Sequence, residues 1–71
     1  MSKPAEYRVV VGPLPLDEGG GFVARVPDLP GCLAVGETPA EALANAYDAI
    51  ACWIEAAMKM GREVPAPRVY A

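Results

Sequence analysis

The tightest constraint on this chain is four residues long. Thr38-Pro39-Ala40-Glu41 reads as the start of a helix. Thr38 can accept from the backbone N–H three positions on, and Glu41 stands where its carboxylate can reach back, the pattern of a capping box. Pro39 at the first helical position gives up only a donor that would be unpaired anyway. Alanine-rich sequence follows without a breaker until Gly61, a natural residue just past a helix end. The predicted helix therefore covers residues 39–60, 22 positions, or about 33 Å at 1.5 Å per residue. Leu43, Ala46, Tyr47, Ile50, Trp53, Ile54 and Ala57 recur at three-to-four spacing and form one apolar stripe. Glu41, Asn45, Asp48, Glu55 and Lys59 take the other side, with Glu55 and Lys59 placed as an i,i+4 pair. Such a stripe has to be buried against another element.

The residues before Thr38 supply strands. Residues 6–11 alternate, with Tyr7, Val9 and Val11 on one face and Arg8 and Val10 on the other. Pro13 and Pro15 are expected to end this strand, because proline cannot donate into a ladder. Asp17-Glu18-Gly19-Gly20-Gly21 is then a turn, since glycine tolerates the positive φ that a hairpin needs. Residues 22–26 alternate again: Phe22, Ala24 and Val26 match the first apolar face, while Val23 and Arg25 lie opposite. Pro27-Asp28-Leu29-Pro30-Gly31 is a stiff connector into a short third strand, residues 32–35. After the helix, Pro65-Ala66-Pro67 forces an extended path, and Arg68-Val69-Tyr70 fits a short edge strand.

Composition narrows function. The chain is 71 residues long, one small domain. Its hydrophobic share of 54% against 21% charged residues excludes a disordered tail. A core this small gives roughly 3–5 kcal/mol, so association with another chain is expected: at least a homodimer, through the sheet face carrying Val10 and Val23 or through open strand edges. Histidine is absent, which removes imidazole catalysis and imidazole metal sites. Ser2, Thr38 and Asn45 are the sole Ser, Thr and Asn, and there is no Gln, leaving little to position a substrate. We expect no enzyme and no cofactor. Six basic against nine acidic residues give a net charge of −3, and the basic ones are scattered. That argues against direct nucleic-acid binding and is compatible with a basic protein partner. No apolar leader follows Met1, and the longest apolar run, residues 49–54, is too short to span a bilayer. Cys32 and Cys52 stand 20 positions apart without a CxxC and read as packed, reduced thiols of a cytoplasmic protein.

Three constellations have competing readings. The glycine run at 19–21 leads into a strand and is not followed by Lys-Ser/Thr, so a hairpin turn is favoured over a phosphate cradle. Asp28, Glu37, Glu41 and Asp48 show no coordination spacing, and a solvated surface is favoured over a metal site. Trp53 and Tyr47 suit the core, yet large aromatics on so small a domain also suit an interface. The connector is balanced between stiffening the chain, with Leu29 tucked under the sheet, and presenting a rigid binding surface.

Taken together, Gly20-Gly21-Phe22-Val23-Ala24, Val26-Pro27-Asp28-Leu29-Pro30-Gly31-Cys32, Gly36-Glu37-Thr38-Pro39-Ala40-Glu41-Ala42, the helix with Trp53, and Gly61-Arg62-Glu63-Val64-Pro65-Ala66-Pro67 resemble the HicB antitoxin family. The resemblance runs from Tyr7 to Pro67 and implies an α+β, β-β-β-α-β two-layer domain likened to a partial RNase H fold, its helix on one face of the sheet. It also implies a partner, a small basic mRNA-cleaving toxin of the HicA type, which the antitoxin covers and silences. RNase H chemistry needs an acidic residue within the first strand, and residues 7–11 contain none. Full antitoxins of this family usually continue into a DNA-binding domain; this chain is expected to be a single domain, residues 1–71, without operator binding. The expected partner-binding residues are Asp28, Leu29, Pro30 and Trp53, with Leu29 and Trp53 as apolar anchors and Asp28 as a polar contact. The alternatives are a solitary homo-oligomeric structural or regulatory domain with no toxin, and a degenerate metal-dependent nuclease.

Overall fold

The structure, a computed structural model, describes residues 6–67. Three strands, β1 (Val10–Pro13), β2 (Phe22–Arg25) and β3 (Leu33–Gly36), form an antiparallel sheet in the order β1-β2-β3, and one helix, α1 (Pro39–Lys59), follows. A single 3₁₀ turn, Leu16–Glu18, sits in the first hairpin. The α+β expectation holds. The expected strand at Arg68-Val69-Tyr70 lies outside the described residues.

The helix ends follow their local chemistry. Thr38 is extended, and its Oγ1 accepts from the Glu41 N–H at 3.1 Å. The Glu41 carboxylate does not reach back among the described residues, so only half of the capping box forms. At the other end Gly61 takes φ +71°, its N–H donates to the Met58 carbonyl at 3.1 Å, and the Arg62 N–H donates to the Ala57 carbonyl at 2.8 Å. These two bonds satisfy carbonyls that the helix leaves open, the Schellman arrangement.

The first strand lies later than its alternation suggests, at Val10–Pro13 rather than residues 6–11. Register explains the shift. Gly19, Gly20 and Gly21 all take positive φ, and the Leu14 N–H closes onto the Gly21 carbonyl at 2.9 Å. That bonded pair makes Pro13–Phe22 a non-bonded pair, with the proline nitrogen turned to the free edge. Pro13 therefore continues the strand. The third strand is shifted by one, to Leu33–Gly36, because the Cys32 N–H is spent on the Leu29 carbonyl at 3.0 Å. Cys32 in turn accepts from the Val26 N–H at 3.1 Å, which makes Val23–Val35 a non-bonded pair and turns the Val35 carbonyl to the other free edge. Asn45 of α1, expected on the solvent side, donates its Nδ2–H to that carbonyl at 2.9 Å. The edges are thus less open to pairing than anticipated.

Helix α1 packs on the face carrying Val11, Ala24 and Ala34, in two zones. Ala24, Ala42 and Ala46 form one, all without exposed surface. Tyr7, Val26, Leu29, Cys32, Ile50 and Ile54 form the other, with Trp53, Tyr47 and Val64 packed on it. Gly36 makes the first zone possible: a Cβ there would stand 2.5 Å from the Ala42 nitrogen. Past the helix the chain folds back, and the Tyr7 hydroxyl donates to the Pro65 carbonyl at 2.6 Å. On the opposite face Val10 is half exposed as expected, but Val23 is buried. It stands on the central strand between Gly12 and Val35, so its neighbours cover it without a second layer.

Candidate interaction surface

Pro27 to Cys32 is a rigid knuckle closed by its own backbone. The Leu29 N–H donates to Val26 at 3.1 Å, Leu29 accepts from Cys32, and Gly31 takes φ +79°. This geometry points the Leu29 side chain inward, where it is completely buried among Val26, Cys32, Ile50 and Ile54. Leu29 cannot itself be an exposed anchor; it is the peg that seats the connector. Pro27 and Pro30 remain at the surface, and Asp28 is half buried and engaged in a contact. Trp53 is half buried on the same side, and its indole Nε1–H donates to the Pro30 carbonyl at 3.0 Å. The structure therefore brings Pro30 and Trp53 into direct contact and places Leu29 beneath them. Side chains that lose little freedom on binding, such as a tryptophan braced against a fixed proline, suit recognition by contact.

The chemistry available elsewhere is sparse. Among the described residues no three His, Cys, Asp or Glu side chains are grouped to hold a metal ion. Glu37 and Glu41 share an open cleft with Glu18, while Asp28 sits in the connector and Asp48 on the helix. Both cysteines are free. Cys52 is exposed, whereas burial pushes the Cys32 thiol up, the opposite of what activates a nucleophile. No helix among the described residues is long and apolar enough to cross a membrane.

The family model for the HicB-like antitoxin of bacterial toxin–antitoxin systems matches residues 7–70, nearly the whole chain. The chain belongs to the HicB-like antitoxin family. A UPF0150 protein of Thermoplasma acidophilum is 45% identical over 49 residues, which cover 69% of this chain and 71% of that one. A UPF0150 protein of Synechocystis is 39% identical over 59 residues, 83% of this chain and 77% of the relative. An uncharacterised 14.9 kDa protein from the rep-hol intergenic region of Haemophilus phage HP1 is 44% identical over 45 residues. That match covers 63% of this chain and 34% of the phage protein. No solved structure matches significantly. Membership in this antitoxin family suggests a toxin–antitoxin role that is regulatory and not enzymatic, and it implies a toxin partner. Sequence reasoning missed the Trp53–Pro30 bond, and it left the inward turn of Leu29 as one of two balanced readings. A tryptophan one helix-length from a Pro-x-x-Pro knuckle was the available signal for the bond.

Proposed function

We propose that this domain binds a small basic mRNA-cleaving toxin of the HicA type in the cytoplasm and occludes its active site, contributing no chemistry of its own. The braced pair of Trp53 and Pro30 carries the reading, because it is a preorganised apolar contact on a domain that belongs to an antitoxin family. Asp28 flanks it as a polar contact, and Leu29 acts from below by holding the connector in place. The net charge of −3 raises the association rate toward a basic partner. That effect fades as salt shortens the screening length from about 8 Å at physiological ionic strength. The domain binds no operator DNA by itself in this reading, and it brings no metal or cofactor.

The test is titration of the domain into an RNA-cleavage assay with the toxin encoded beside it. Inhibition is expected to saturate, Trp53→Ala to weaken it at least tenfold, mainly by faster dissociation, and Glu55→Gln to leave it unchanged. Glu55 pairs with Lys59 at 3.2 Å on the solvent side of α1. Full toxin activity at saturating domain would refute the reading. Exposed Val10, Leu33 and Val35 on the uncovered sheet face favour a second property, self-association to at least a dimer. That property would also serve a solitary homo-oligomeric domain.

A further inference from the structure

The sheet face turned away from α1 is apolar in its middle and split in charge between its ends. Val10 (46% exposed), Leu33 (51%) and Val35 (52%) lie on it around buried Val23. At one end Arg25 stands in a row between Val10 and Leu33, exposed and without an ion pair among the described residues. At the other end Val35 runs into an open cleft lined by Leu14, Leu16, Glu18 and Glu37, with Glu41 contributed from the first turn of α1. Gly20 and Gly21 form part of its lining, and Leu16 is 93% exposed at its lip. From Arg25 to Gly21 is four residues of strand, about 13 Å.

We infer that this face is the contact between two copies of the chain, stacked sheet on sheet about a two-fold axis that lies in the contact plane and crosses the strands at Val23. This deepens the self-association reading given above. The rotation makes the strands of the two copies run in opposite senses. Each Arg25 then comes over the acidic cleft of the other copy, and Val35 comes over Val35. Stacked sheets sit about 10 Å apart with strands within roughly 30° of aligned, which brings both pairings into reach. A two-fold contact must be complementary to itself, and this face is: a cation at one end, carboxylates at the other, apolar side chains between. An axis parallel to the strands would instead set Arg25 on Arg25 and cleft on cleft, which like-charge repulsion opposes. A basic partner would meet Arg25 unfavourably here, whereas a second copy meets it with the cleft that holds Glu18 and Glu37.

Sedimentation of the purified domain across micromolar concentrations tests this. The wild type is expected at twice the 7.4 kDa chain mass. Val35→Arg, at an exposed position, keeps the far-ultraviolet dichroism of the fold and raises the dimer Kd about 100-fold by burying a charge against apolar surface. Arg25→Glu and Glu37→Arg each raise it about tenfold, and the double exchange Arg25→Glu with Glu37→Arg returns it to near the wild-type value. A monomeric wild type, a dimer indifferent to Val35→Arg, or a double exchange no better than the single ones would each overturn the inference. So would Val35→Arg losing toxin inhibition while its dimer persists, since the face would then belong to the toxin. Failure of the wild type to inhibit any toxin leaves the mass measurement unaffected, so the two readings fail separately.

Discussion

The two halves of the helix–sheet contact are built on opposite plans. Toward its N-terminus α1 meets the sheet through Ala42, Ala46 and Ala24, with Gly36 letting the backbones approach. Toward its C-terminus it presents Ile50 and Ile54, which pack with side chains brought in from outside the sheet: Leu29 and Cys32 from the connector and Tyr7 from the N-terminal segment. One half is tight because nothing stands between the layers. The other is tight because something has been put there. The first should be sensitive to added atoms and the second to removed ones, and one domain thus holds both failure modes of a packed core.

The largest effect is expected from emptying the filled half. Leu29→Ala removes a completely buried side chain, which costs about 2–5 kcal/mol, against the roughly 3–5 kcal/mol that a domain this small commands. The variant should be substantially unfolded near body temperature. Thiol labelling gives the readout: in the wild type Cys52 reacts and Cys32 is protected, whereas in Leu29→Ala both react. Persistent protection of Cys32 would show that the connector is not part of the core. The tight half is challenged by adding one methyl group. Gly36→Ala places a Cβ 2.5 Å from the Ala42 nitrogen and 2.9 Å from the Glu41 carbonyl carbon, so the helix start must lift. A loss of about 1–3 kcal/mol is expected in urea unfolding, and a wild-type midpoint would mean that the layers are not in contact there. Thr38→Ala, at the same end, removes only the acceptor for the Glu41 N–H. It should cost about 1 kcal/mol and lower the melting temperature by several degrees with the fold kept.

The same contrast explains what could be read from the sequence. Both ends of α1 were legible almost to the residue, since Thr38, Pro39 and Gly61 act on their immediate neighbours. Strand positions were not. Whether Pro13 ends β1 or extends it depends on which side its nitrogen faces, and that is set by a pairing with Phe22 nine residues away. Alternation shows that Tyr7, Val9 and Val11 share a direction without showing which of them pair. The surface was half legible. The connector stood out as a rigid segment, but nothing in Pro27-Asp28-Leu29-Pro30 says which way Leu29 turns. That is decided by the space that Ile50 and Ile54 leave beneath it. The spacing of Glu41 predicts a reciprocal cap, yet only its backbone N–H takes part, and the residue borders the cleft that holds Glu18 and Glu37.

The two free edges of the sheet have a consequence for how far assembly can go. On one, Val11 and Pro13 face outward and Pro13 has no amide to offer; on the other, Leu33 and Val35 face outward and the Val35 carbonyl already accepts from Asn45. A chain that joined its neighbours edge to edge could add copies without limit, each newcomer offering the same template again, and a short hydrophobic sheet is well suited to begin such a fibre. A proline and an asparagine in these two places each take one rung from the ladder that such growth would need. The two-fold contact proposed above would instead terminate once it has been made.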